Sequence, residues 1–242
     1  MANTAASTLI TATLDNLSRA SAGTTRSGST LETEAMRWLN ESMRYIAKRY
    51  NFRDLLRLYS AVTAEDTKSY ALPTNTKDIK DLRIIDGTSS RKLWQVGIRD
   101  IDDYMPYPEA DVTRKPVWYS RIGETFDLIP IPDDTYTLYM RVYLWPTTIT
   151  STSTLIDYAP DKDETIIAFM TQKGFQLYQM YEDALEWKKE AMSCLAAALL
   201  DEESDPDFDV VGKGFSSLPR SVMPGDAYND PMVRSNGVWR GL

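Results

Sequence analysis

The 242-residue chain is predicted to be α+β: an antiparallel helical bundle with an inserted small β-sandwich or barrel and an extended C-terminal arm. Three observations point there. Segments at both ends of the first two hundred residues space their apolar side chains at helical intervals. The region between them breaks into short β-prone runs separated by turn residues. The last forty or so residues are too rich in proline to continue a helix. The chain then divides into 1–57 (two helices of the bundle), 58–146 (the inserted β-rich domain), 147–201 (connector and one long closing helix) and 202–242 (the arm).

Residues 4–19 place Leu9 or Ile10, Leu14 and Leu17 on one side and read as a first helix. The small, polar stretch Ser21–Ser29 reads as a loop. Ser29 stands three residues before Glu32, a capping-box arrangement that opens a second helix over 30–50. Along it Met36, Leu39, Met43, Ile46 and Tyr50 alternate steps of three and four, which makes one apolar stripe. From Leu58 the pattern changes. The runs Tyr59–Thr63, Ser69–Leu72, Asp81–Asp86, Lys92–Val96, Val117–Arg121, Thr125–Ile129 and Thr135–Trp145 read as strands, with Ile98–Tyr104 as a short helix between them.

The last of these strands is the best patterned. Leu138, Met140, Val142 and Leu144 share one face, and Tyr139, Arg141, Tyr143 and Trp145 share the other. The aliphatic face suits a core. The aromatic face exposes too much apolar area for plain solvent, so it suits burial against a second sheet or another protein. After the Thr/Ser-rich connector 147–154, Pro160 and the acids Asp161, Asp163 and Glu164 suit a helix start. Ile166, Met170, Leu177, Tyr181, Ala184, Leu195 and Leu199 then keep a helical rhythm to Asp201. One helix of that span is ~60 Å long at ~1.5 Å per residue, more than two short helices cover, so it is expected to pack on copies of itself. In 202–242, four prolines and five glycines surround Phe208, Phe215, Leu218, Met223, Val233 and Trp239. Such a segment has anchors but no fold of its own, and is expected to order on a partner.

Composition narrows the function. The net charge of −8 argues against a protein that coats nucleic acid. With no histidine, the commonest general base and the commonest transition-metal ligand are missing. A single cysteine, Cys194, leaves no intrachain disulfide or thiolate cluster and reads as a buried small hydrophobe. No stretch approaches the ~20 apolar residues of a membrane span, and the N-terminus lacks a signal-peptide pattern, so a cytoplasmic origin is expected. No phosphate loop or dinucleotide fingerprint appears. The acidic patches Asp100–Asp103 and Asp205–Asp209 lack the longer ligand pattern of a calcium loop and read as solvated turns. No cofactor or metal is expected. The basic cluster Arg44, Lys48, Arg49, Arg53 and Arg57 reads either as a charged helix face or as a dock for an acidic partner. Trp38, Trp187 and Trp239 suit core and interface alike.

Several segments together resemble the head-to-tail adaptor family of short-tailed bacteriophages, the tail tubular protein A-like adaptors. They are Met36-Arg-Trp-Leu-Asn-Glu-Ser-Met-Arg-Tyr-Ile46, Tyr70-Ala-Leu-Pro-Thr-Asn75, Leu82-Arg-Ile-Ile-Asp86, Pro116-Val-Trp-Tyr119, Phe126-Asp-Leu-Ile-Pro-Ile-Pro-Asp133 and Tyr143-Leu-Trp-Pro146. The resemblance covers about residues 5–201. It implies a non-enzymatic virion protein that forms a dodecameric ring below the portal. Adjacent subunits then pack helix to helix, a C-terminal arm reaches the portal, and the β domain meets the tail nozzle or fibres. DNA crosses the channel without sequence-specific binding, and no membrane is involved. On that basis Leu177, Tyr181, Trp187, Arg44 and Lys48 are candidates for the subunit interface. Phe215, Leu218, Met223, Val233, Trp239 and Arg240 are candidates for portal contact. The alternative is a β-sandwich module that binds or hydrolyses cell wall.

Overall fold

The structure, a computed structural model, describes residues 3–20, 28–87, 89–104 and 113–203. Among these the chain forms two compact units, one from residues up to Arg57 and from Tyr143 onward, the other from Leu58 to Val142.

The first unit is built on helices α1 (Ala6–Ala20) and α2 (Gly28–Arg49), and on α4 (Asp163–Leu177) and α5 (Tyr181–Glu203). α1 buries Ala6, Leu9, Ile10, Thr13 and Leu17. Leu14 is only partly covered. α2 buries Ala35, Trp38, Leu39, Met43, Ile46 and Ala47, a broader stripe than the sequence rhythm implied, with Met36 and Tyr50 at its margins. α4 is the hub: α1, α2 and α5 all pack on it. Ile166, Ala168, Phe169, Met170 and Phe175 fill the space between them. Gly174 allows α1 to approach closely, since a Cβ at that position would lie 2.5 Å from Leu17 Cδ1.

The expected bundle closed by one long helix does not form. The segment 160–201 is instead a 3-10 turn at Pro160–Lys162, then α4 and α5 as separate helices. The break has a backbone cause. Gln179 takes a left-handed conformation with φ of 61°. Its N–H donates to the Gln176 carbonyl at 3.2 Å, and the Met180 N–H donates to the Phe175 carbonyl at 3.0 Å. These are the paired bonds of a Schellman stop. The Ala184 N–H then donates to the Met180 carbonyl at 3.0 Å and starts the next helix. Neither glycine nor proline marks the place, which is why the side-chain rhythm reads through it.

A buried ion cluster closes one end of this unit. Lys162 is 4% exposed and Glu202 5%, and the Lys162 ammonium donates to Glu202 Oε1 at 3.0 Å. It also donates to Asp161, and Asp54 Oδ2 lies 3.9 Å away. Asp54 accepts the Ala159 N–H at 3.0 Å, and Tyr158 donates its hydroxyl to the Met43 carbonyl at 3.0 Å. The end of α2, the entry to α4 and the end of α5 are tied together here. Burial alone would lower the Lys162 pKa. Its hydrogen bonds to Asp161 and Glu202, with the charges of Glu202 and Asp54, outweigh that and hold its pKa above the ordinary lysine value. Burial pushes the Tyr158 phenol up as well.

The second unit holds β1 (Leu56–Val62), β2 (Ser69–Ala71), β3 (Thr76–Asp86), β4 (Ser89–Gln95), β5 (Trp118–Ile122), β6 (Thr125–Ile129) and β7 (Thr137–Leu144), with α3 (Ile98–Tyr104) between β4 and β5. β1 begins and β7 ends within the first unit's residues. The expected sandwich or barrel is also corrected: the strands make one curled sheet in the order β1-β7-β3-β4-β5-β6-β2. β4 and β5 run parallel, which the crossover through α3 permits. β5 and β6 form a hairpin through Gly123-Glu124, where Gly123 has φ of 62°, a conformation that glycine reaches without strain.

One face of the sheet carries the core: Leu82, Ile84, Leu93, Tyr119, Phe126, Leu128, Leu138, Met140 and Val142 are buried, and Ile79 is buried on the alternate side of β3. In β7 the alternation holds up to Val142 and then fails. Tyr139, Arg141 and Trp145 are exposed, but Tyr143 is buried. The aromatic row therefore splits instead of forming one continuous surface. The C-terminal arm lies outside the described residues from 204 onward.

Candidate assembly interface

α5 packs one face on α4, through Ala184, Ala191, Leu195 and Ala198. Three of these four are alanines, which let the two backbones come close. The rest of the helix stays open. Tyr181 is 69% exposed, Leu185 54% and Met192 37%. At ~100° per residue these three fall within roughly 40° of one another. They form a second apolar stripe beside the buried one. Glu182, Glu186 and Glu190 are exposed further round the helix. Leu177, at the end of α4 just before the break, is 40% exposed. Apolar side chains in such a row are spaced to receive another helix.

α2 offers the opposite character. Arg44 and Lys48 are exposed one turn apart. Arg44 Nη2 donates to Thr148 Oγ1 at 2.8 Å. Arg49 lies over the Tyr45 ring at 4.5 Å. The connector beside α2 is fixed by Asn40, whose Nδ2 donates to the Ile149 carbonyl at 2.9 Å while its Oδ1 accepts the Ile149 N–H at 2.7 Å. A groove of about 470 Å³ runs between them, lined in part by Met36, Arg37, Arg44 and Thr148. Lys173 Nζ bonds Glu41 Oε2 at 2.7 Å and joins α4 to the same face of α2.

Comparison with known proteins names the family of a chain with this helical hub, open apolar stripe and basic face. A family model described as SU10 adaptor protein matches residues 4–207. The chain belongs to that family. It is a structural adaptor of a bacteriophage virion. No curated protein matches the chain.

Of the residues singled out in the adaptor's sequence, Leu177 and Tyr181 flank the helix break and are exposed. Arg44 and Lys48 share the outer face of α2. Trp187 is partly buried against the core and does not join the stripe. Phe215, Leu218, Met223, Val233, Trp239 and Arg240 lie outside the described residues. Sequence reasoning missed Leu185 and Met192. They sit four and eleven residues after Tyr181, a spacing that was visible. The Ala- and Leu-rich positions on the neighbouring face masked it, because the rhythm of one helix hid two stripes.

Trp38 is core. Cys194 is only partly covered, which corrects its reading as a buried hydrophobe. Burial and the neighbouring carboxylates Glu190 and Glu164 raise its thiol pKa, which disfavours the reactive thiolate. Asp100 lies in the first turn of α3. Among the described residues no three His, Cys, Asp or Glu side chains gather as a metal site, and no helix is long and apolar enough to cross a membrane.

Proposed function

We propose that the adaptor works as a dodecameric ring joining the capsid portal to the tail nozzle or fibres, with DNA crossing its channel. The observation that carries this reading is the exposed stripe Tyr181, Leu185 and Met192 on a helix otherwise seated on its own core. A row of large apolar side chains in water costs free energy unless a partner covers it. A neighbouring copy supplies that cover when the basic face of its α2, with Arg44 and Lys48, meets the glutamates beside the stripe. This pairing joins two different surfaces of one chain. Repeated head to tail, such a contact does not stop at a dimer, and it closes a ring when the rotation between neighbours sums to a full turn. The arm, with Phe215, Leu218, Met223, Val233, Trp239 and Arg240, then anchors the ring on the portal.

The test is to mix the purified adaptor with portal particles and count subunits by electron microscopy. Wild type should give closed rings. Leu185→Ser with Tyr181→Ser should leave the chain folded and prevent ring closure. Rings that form equally well with both substitutions would remove α5 from the interface. Deleting residues 219–242 should weaken attachment to the portal and leave the thermal midpoint of the body unchanged.

A further inference from the structure

The second unit presents an unusual outer sheet face. On β3, Asp81 and Arg83 alternate with the core residues Leu82 and Ile84 and so lie opposite the core. On β4, Lys92 and Trp94 flank buried Leu93 in the same way. The strand register places Arg83 directly opposite Lys92 and Trp94 directly opposite Trp118 of β5. On the other side, β7 contributes Tyr139 and Arg141.

Four adjacent strands thus carry three cations and three aromatic rings. Asp81 holds two of the cations: its Oδ2 lies 3.2 Å from Arg83 Nε and 3.6 Å from Arg141 Nη1. Lys92 Nζ sits 5.6 Å from the centre of the Trp94 ring. The charge of this cluster is 3 − 1 = +2, from Arg83, Lys92, Arg141 and Asp81, on a chain of net charge −8.

The Asp81 ion pairs account for Arg83 and Arg141 but not for Lys92. Like charges directly opposite one another on a sheet face destabilise it, and Arg83 faces Lys92. An acceptor-rich anion lying across the strands relieves that repulsion.

We infer that this face binds an acidic, extended segment of another protein, with carboxylates on Arg83, Lys92 and Arg141 and apolar side chains against Trp94, Trp118 and Tyr139. Charge favours a short segment over nucleic acid. A long polyanion extends past the patch over a chain of net charge −8, whereas a short acidic segment stays within about one Debye length, ~8 Å at physiological salt, of the three cations. The surface lies entirely in the sheet unit, so its test does not depend on ring formation.

The experiment titrates the full-length chain into three labelled probes and follows fluorescence anisotropy. The probes are a peptide of alternating Asp and Ala, its Asn-Ala counterpart, and a single strand of oligothymidylate. The Asp peptide should bind, with affinity falling as salt rises, and the other two should bind at least about tenfold more weakly. Lys92→Glu should weaken the Asp peptide about tenfold, and Lys92→Gln about threefold. Lys92 is exposed, so both variants should fold. Lys92→Gln should keep or raise the thermal midpoint by relieving Arg83. Equal binding of the Asn peptide, tighter binding of the DNA strand, or an affinity indifferent to Lys92→Glu would each overturn the assignment.

Discussion

α4 and α5 are consecutive helices joined by three residues, yet they do opposite work. α4 is covered on almost every side and its apolar residues hold the first unit together. α5 gives one alanine-rich face to α4 and leaves large apolar side chains in solvent. What separates them is the left-handed residue Gln179 and the two hydrogen bonds that end α4 there. Had the helix run straight on, Tyr181 and Leu185 would have continued the buried rhythm of α4. The break turns the chain back on itself, and a second apolar stripe is left exposed.

The strongest test of this contrast is truncation on each side of it. Phe175→Ala on α4 empties a fully packed site and should cost about 3–5 kcal/mol in denaturant unfolding. Leu185→Ala on α5 should stay within about 0.5 kcal/mol and still impair ring formation. Equal costs would mean that α5 belongs to the core as fully as α4 does.

Next comes the ion cluster that ties the end of α5 to the entry of α4. Lys162→Met leaves Glu202 and Asp54 without their buried cation and should cost about 3–5 kcal/mol. Adding Glu202→Leu should recover part of the loss. The pH dependence carries a definite sign. Lys162 has a raised pKa in the fold, so its contribution is whole below the unfolded lysine value of about 10.5 and fades as pH climbs through the folded value. Tyr158, also raised, acts in the same direction, because its phenol ionises in the unfolded chain at a lower pH than in the fold. Thermal midpoints should hold near neutral pH and fall above about pH 10, and Tyr158→Phe should shrink that fall.

Smaller effects refine the geometry. Gly174→Ala would push a methyl against Leu17 and should cost roughly 1–3 kcal/mol, depending on how far that leucine can turn away. Gln179→Gly should stabilise by about 1 kcal/mol, since glycine takes the left-handed conformation without the Cβ penalty. A destabilised Gln179→Gly in thermal unfolding would mean that its side chain, not its backbone, holds the turn.

Much of the local structure was legible. The seven strands fall where β-prone runs alternate with turn residues, and Thr125–Ile129 agrees at both ends. α2 was legible from its three-and-four rhythm, and the core side of β7 from Leu138, Met140 and Val142. The proposed interface was legible only in pieces. Tyr181 and Leu177 stood out as large residues, whereas Leu185 and Met192 were hidden by a rhythm that served two faces at once. The outer sheet cluster was not legible at all, because Arg83, Lys92, Trp94 and Arg141 come together only through strand register.

By itself the sequence determined the local elements, the absence of histidine chemistry and the family, because periodicity, turn residues and composition are short-range properties. Tertiary structure alone decided that the closing helix breaks at Gln179, that the strands share one sheet, and that Tyr143 turns inward while Tyr139 stays out. The physical reason is the same in each case. A backbone stop made of carbonyls and N–H groups leaves no mark in side-chain rhythm, and the partner of a strand or helix is chosen by packing between residues far apart in the chain.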